Sequence, residues 1–460
     1  MGSSTAGAPA ATAGTKKIGL VPCLAFAVGT MIGGGVFTLS GVAVDEAGPA
    51  AVFGYVIAGL VMMLSALCFA AVASRSRPGD SGYASIGAIL GPQWRFVTMW
   101  AFYLNAVTAI AFVLLSFGSY LQQYFVPGLS TTAAALLAVA GLAALNLGPA
   151  DAVARTETVL VAAKVAILLL LVAYGLFSLD AAEVTPMVPQ GDGSVLRVTA
   201  LLFTAYAGFN VVTNMAGSVR RPEHTVPLAI VLSIGLSAII YVGVILALLA
   251  SGQHGFGDAG LGKAAEALMG HWGALLVAVA ACVSTLSGAN ANVLGSSELM
   301  IKLSAQGDVG GRWGQLTRRG HPATSVLLAA VLATALMLTG SIDTIVALSN
   351  VTALAAMLVV DVAAIRLARS HWARPGMRLP GGMTVPVLAL LTAAAQLPSL
   401  GWGNVGVGLA MVLAGLFIFA LRHRPELGAD TGPLLRAIEL LETPLARALR
   451  DRREGDTRAR

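Results

Sequence analysis

Apolar residues run in long blocks along this chain, and polar residues gather in short segments between them. A block of about 20 apolar residues is long enough to cross a bilayer as a helix. The blocks predict about twelve such spans, over roughly 18–44, 50–74, 96–124, 131–147, 158–179, 195–219, 226–250, 272–303, 323–339, 342–367, 385–400 and 405–421. Polar punctuation separates them: Asp45, Glu46, Gly48 and Pro49 after the first, Pro127 and Gly128 after the third, Gly401-Trp402-Gly403 between the last two. Basic residues favour alternate loops, from Lys16 and Lys17 through Arg75, Arg77 and Arg95 to Arg369 and Arg374. Only Arg197 and Lys263 are basic in the loops expected outside. The positive-inside rule then places both termini in the cytoplasm of a multi-pass protein of the cytoplasmic membrane.

Two spans break their own pattern. The first contains Gly29-Thr30-Met31-Ile32-Gly33-Gly34-Gly35-Val36-Phe37. Each glycine costs a helix about 1 kcal/mol relative to alanine, and at membrane depth a broken backbone survives only against protein or a watery cavity. A discontinuous helix restarting near Gly34 would aim its free N–H groups at an anion such as a carboxylate. Alternatively, the glycines permit close helix packing. The sixth span carries a matching break at Tyr206-Ala207-Gly208-Phe209-Asn210. The two breaks lie five spans apart, which is the trace of an inverted five-plus-five repeat with two helices appended. The expected division is a disordered tail over 1–15, repeats over 16–180 and 181–370, helices eleven and twelve over 371–422, and a cytoplasmic tail over 423–460. In that tail Leu434, Leu435, Ile438 and Leu441 fit either an amphipathic helix or a solvated basic segment.

Composition agrees with an all-α polytopic membrane protein: 57% of residues are hydrophobic and 11% charged, against about 25% charged in soluble domains. The basic balance, net +6, lies in short inter-span segments and does not form a nucleic-acid surface. Cys23, Cys68 and Cys282 fall inside apolar blocks and read as buried thiols, with no disulfide framework and no metal site.

Lys164 stands within the fifth span among Val161, Ala162, Ala163, Val165, Ala166 and Ile167. An ammonium there is costly and desolvation favours the neutral amine, so Lys164 either exchanges a proton or snorkels to the surface. Asn105 and Asn292 are further polar residues in apolar spans, and either contact a substrate or hold helices together. Helices three, six, eight and ten offer Asn105, Thr204, Asn210, Asn292, Ser349 and Asn350, with no Asp or Glu expected at the midplane. A cationic side chain would therefore be poorly served there, and Tyr206 or Phe209 could offset only about 2 kcal/mol by cation–π contact.

The glycine motif, the loop Arg77-Pro78-Gly79-Asp80-Ser81-Gly82-Tyr83, the segment Phe203 to Phe209, the loop Arg221-Pro222-Glu223-His224-Thr225-Val226-Pro227 and the stretch Ser284 to Gly307 together resemble the amino acid–polyamine–organocation permeases, in order and spacing, over Ile18 to Leu421. The resemblance implies a secondary transporter working by alternating access, without cofactor, whose driving force is a proton gradient. It implies a substrate carboxylate in the Gly33-Gly34-Gly35 run, at the amides of Gly34 and Gly35, and an amino group at the carbonyls of Met31, Thr204 and Ala207. Lys164 stands where proton-coupled relatives carry a lysine, with carbonyls around Ala27 and the hydroxyls of Ser284 and Ser287 as expected neighbours. There are departures: Asn210 stands where an acid is common, Thr204 where a ring is common, and Glu298 where an arginine is frequent, with Lys302 placed to pair with it. The partners implied are an amino acid, more fitting as a neutral one, and the lipid bilayer. The rivals are an exchanger in which Lys164 stays charged, a channel, and a ligand sensor. A channel would need a continuous polar stripe, which the spans lack, and no span carries a catalytic constellation.

Overall fold

The computed structural model describes residues 19–75, 82–147, 153–180, 185, 192–209, 219, 222–317, 321–369 and 376–423. Both tails, most of the loop 76–82, and the segment from Asn210 to Ser218 lie outside the described residues.

The described chain is helical throughout its apolar blocks. In order, the helices are α1 (Leu20–Met31), α2 (Ser40–Ala47), α3 (Ala51–Ala73), α4 (Ala84–Leu90), α5 (Pro92–Tyr124), α6 (Thr131–Asn146), α7 (Val153–Ser178), α8 (Asp192–Leu202), α9 (Pro222–Ala250), α10 (Gly260–Ala305), α11 (Ala323–Thr339), α12 (Ile342–Arg369), α13 (Thr384–Gln396) and α14 (Trp402–Arg422). Among the described residues, seven stretches are long and apolar enough to cross a membrane, and five shorter apolar helices occupy the remaining expected positions. Apolar side chains such as Phe177, Ile239 and Leu413 face outward, as a hydrocarbon surround permits. The helices of the centre, α5 and α12, are instead enclosed by their neighbours.

Both expected breaks are present. The first span divides into α1 and α2, joined through Ile32–Gly34 and a π-helical turn, Gly35–Leu39. The sixth span leaves α8 for a tight 3-10 turn, Phe203–Tyr206, after which Ala207 is extended and Gly208 takes φ +118°. That conformation is in the range only glycine adopts without strain. One element differs from the sequence reading. The segment carrying Lys263, expected as an outer loop, is helical, and it joins the eighth span at Gly270, where φ is +72°. Its Ala, Leu, Lys, Glu and Met residues are strong helix formers, and one positive-φ glycine lets the chain turn into the span.

The two breaks face each other at the centre. α1 lies on α9, α3 packs between α9 and α12, and α5 packs on α10 and α12. On one face Asp45 at the end of α2 accepts from the amides of Phe256 (2.9 Å) and Gly257 (2.8 Å), drawing the outer loop over the broken helices. The opposite face carries Arg75, Arg95 and the buried Asp308.

Candidate functional site

The unwound segments enclose a cavity of about 140 Å³. Met31, Gly33, Gly34 and Gly35 line it from the first break, Thr204 and Ala207 from the second, Asn105 from α5 and Asn292 from α10. These are the described residues among the expected substrate contacts, brought together from elements far apart in the chain. Asn210 falls outside the described residues. Most of the remaining wall is apolar or aromatic: Met62, Phe102, Phe112, Val113, Phe209 and Met357. Tyr83 also lines it, from the loop after α3, a position to which the sequence reading assigned no role.

The three glycines are not equivalent. A Cβ on Gly33 would meet only the Thr30 carbonyl oxygen, at 3.8 Å, so this position is open. A Cβ on Gly34 would stand 3.0 Å from the Val113 side chain, and one on Gly35 would stand 2.9 Å from the backbone of Ala205. The absence of a side chain at Gly35 thus lets the two broken helices touch. Of the two explanations for these glycines, packing accounts for Gly35 and space accounts for Gly33. The Gly33 amide donates to the Met31 carbonyl at 2.8 Å. Gly34 and Gly35 begin the second half of the helix, where no preceding turn supplies acceptors.

Hydrogen bonds fix the breaks against each other. The Tyr241 hydroxyl lies 2.8 Å from the Met31 carbonyl and 2.9 Å from that of Ala205, bridging both broken helices. The Met31 carbonyl, which the resemblance assigns to a substrate amino group, therefore already accepts from Tyr241 and from Gly33. Thr30 Oγ1 donates to Ala27 (2.9 Å) and reaches the Gly208 carbonyl at 3.4 Å. Ser284 Oγ donates to the Ile32 carbonyl at 3.0 Å. Lys164, 2% exposed, donates from Nζ to the Gly29 carbonyl at 2.7 Å. It does not snorkel: it is held within the bundle, where a Cβ on Gly29 would collide with Val161 at 2.6 Å. Ser287 is not among the residues lining the cavity.

Several polar residues take structural places. Asn105 Nδ2 donates to the carbonyl (2.9 Å) and hydroxyl (3.0 Å) of Ser349 while its side chain also lines the cavity. Asn350 donates to the Leu201 carbonyl at 3.3 Å. Ser349 and Asn350 therefore join helices and do not line the cavity, and Tyr206 is likewise withdrawn, donating to the Tyr55 carbonyl at 2.8 Å. The expectation concerned acidic residues at the midplane, and two acids lie elsewhere. Glu298 lines the cavity at its mouth, 3.7 Å from Lys302 in an i,i+4 pair, and its side chain is 64% exposed. The cavity thus reaches the surface on the face bearing Arg95. A second acid, Asp361, is fully buried in α12. Periodicity alone could not separate it from a solvated helix end.

At that same face Arg95 donates to both carboxylate oxygens of Asp308, at 2.9 and 3.2 Å, joining α5 to the segment after α10. His423 Nε2 lies 3.7 Å from Asp308 Oδ1. Burial pushes the Asp308 carboxyl above its ordinary range, with Arg95 pulling in the other direction.

A bundle of apolar helices, two of them broken and facing each other around a cavity, defines a polytopic membrane transporter. A family model described as "Amino acid permease" matches residues 18–421, and the chain belongs to that family. Among its relatives are the inner membrane transport protein YbaT of Escherichia coli, 28% identical over 77% of this chain and 84% of the relative. The branched-chain amino acid permease BcaP of Bacillus subtilis is 26% identical over 90% of this chain and 95% of its own. The methylthioribose transporter of the same organism is 25% identical over 86% and 91%. The protein is a transporter of the amino acid permease family and not an enzyme.

Proposed function

We propose that this transporter takes up neutral amino acids with apolar side chains by proton symport, with the Arg95 face toward the cytoplasm. The observation that carries the substrate class is the wall of the cavity. Two short polar segments, at Gly33–Gly35 and Thr204–Gly208, can receive the zwitterionic end, while Met62, Phe102, Val113 and Met357 surround the remaining space. A carboxylate at the amides of Gly34 and Gly35 meets the positive end of the second half-helix. A cationic side chain would meet Glu298 only at the exposed mouth, where water screens the attraction. The naming of one relative as a branched-chain amino acid permease supports the same class.

Lys164 supports proton coupling. Its Nζ grips the carbonyl of Gly29, three positions before the unwound segment that begins at Ile32. A protonated amine donates there strongly, and a neutral amine holds it less well. Loss of the proton would therefore loosen α1 from α7 and bias the break toward another position. The basic face reads as cytoplasmic by the positive-inside rule.

The test is uptake into proteoliposomes containing no internal amino acid. Leucine, isoleucine or valine should accumulate with an inward proton gradient, and dissipating that gradient should abolish accumulation. Uptake that requires an internal amino acid and ignores the gradient would make the protein an exchanger. Better competition by arginine, lysine or putrescine than by every neutral amino acid would overturn the substrate class.

A further inference from the structure

Asp361 lies outside the cavity and outside the contacts of Lys164. It is 0% exposed. It stands eight positions before Arg369 at the end of α12, which places it about 12 Å inside that helix end. Met357, one turn away, lines the cavity. On the facing helix α3, Met62 lines the cavity and Ser65 follows one turn later. Ser65 Oγ donates to Asp361 Oδ2 at 3.0 Å, and the Cys68 thiol is also within hydrogen-bonding reach of the carboxyl. The other oxygen, Oδ1, is buried and has no hydrogen-bond partner among the described residues.

Among the described residues Asp361 forms no ion pair. Among the described residues, the surrounding elements carry these other titratable groups. α3 contributes Cys68, and beyond its end Arg75 is bonded to the carbonyls of Ala71 and Met377. Toward α5 stand Tyr83, Tyr103 and Arg95, the last committed to Asp308. Tyr206 is bonded to Tyr55, and Arg197 next to α8 is paired with Glu46. α13 has no titratable side chain and α14 only Arg422. On α12 itself Asp343, Arg366 and Arg369 lie toward the ends. An ionised carboxylate without a counter-ion and with one oxygen unbonded is among the costliest groups a membrane interior can hold. A neutral carboxylic acid with a hydroxyl donor on one oxygen is tolerated there.

We propose that Asp361 is a proton-binding site of the transporter, carrying its proton while α3 and α12 are packed together and releasing it when water reaches the carboxyl as they part. The O–H bond breaks, the proton passes to water, and the carboxylate is left hydrated. The arrangement makes the α3–α12 contact pH-dependent: protons hold it closed, and alkaline conditions open it. Because both helices also line the cavity through Met62 and Met357, the state of Asp361 is felt at the substrate site. The inference does not rest on Lys164, and replacing Lys164 leaves this carboxyl in place.

Infrared difference spectroscopy of the full-length purified protein, titrated from acid to alkaline pH, tests it. A buried carboxylic acid should contribute a C=O stretch at neutral pH that disappears in Asp361→Asn and persists in Lys164→Gln. Asparagine has the shape of the neutral acid, so the variant should fold, and the fall in uptake expected of the wild type at alkaline pH should be smaller in it. A wild-type spectrum without that band at neutral pH, or a band unchanged in Asp361→Asn, overturns the proposal. So does an Asp361→Asn uptake profile with the wild-type dependence on pH. Ser65→Ala provides a check that does not need the asparagine variant to fold. Removing the donor disfavours the carboxylate, so the same band should survive to more alkaline pH, and an unshifted titration counts against the site.

Discussion

The contact between Gly35 and Ala205 makes a sharp prediction about Gly35→Ala. The new Cβ would stand 2.9 Å from Ala205 Cα and 3.1 Å from its Cβ. Carbon atoms prefer about 3.5–4.0 Å, so the broken segments must separate by roughly 0.6 Å or more. The obstacle is backbone, so no side-chain rotation relieves it. The Ala205 carbonyl is also tied through Tyr241 to that of Met31, which opposes a shift of either segment. Overpacking of this kind costs about 1–3 kcal/mol. If it falls on the substrate-binding arrangement, affinity weakens roughly 5- to 150-fold. Gly33→Ala is the matched control, because its Cβ approaches nothing closer than 3.8 Å and points into open space. Thermal melting of the purified protein and calorimetric titration with leucine should separate the two. Gly35→Ala should lose both melting temperature and affinity, whereas Gly33→Ala should lose affinity with melting preserved. Wild-type melting and affinity in Gly35→Ala would refute the reasoning.

Three more predictions use other contacts. Tyr241→Phe removes the one hydroxyl proton shared between the Met31 and Ala205 carbonyls, both on buried residues, and should cost about 1–3 kcal/mol, read as a lower melting temperature together with weaker binding; a change in neither would show that the bridge is idle. Lys164→Gln should bind leucine yet fail to concentrate it against a gradient, and accumulation driven by a pH difference in that variant would exclude Lys164 as the coupling group. Burial holds Asp308 above its ordinary range, so its contribution to stability is full below the unfolded value, about 3.9, and is lost as pH rises through the raised native value. Asp308→Asn should therefore flatten that part of the dependence of melting temperature on pH, and an unchanged slope would contradict the assignment.

The spans and both breaks were legible in the sequence because hydrocarbon imposes local rules. A crossing helix needs an unbroken apolar run, and glycines such as Gly33, Gly34 and Gly208 interrupt it wherever they fall. Lys164 was legible for the same reason, as a charge where charge is expensive. The direction each group faces was not local, and only the tertiary structure decided it. Gly33 opens to the cavity while Gly35 closes on Ala205, although a single residue lies between them. Tyr241, one tyrosine in an apolar helix, became the bridge between both breaks only when α9 lay beside them. Ser349 and Asn350, read as pocket residues, turned to neighbouring helices because buried amides and hydroxyls take the nearest partner. Asp361 received its donor from Ser65, 296 positions away. Hydropathy registers what a residue costs in lipid, but the partner that offsets that cost comes from whichever helix packing brings alongside.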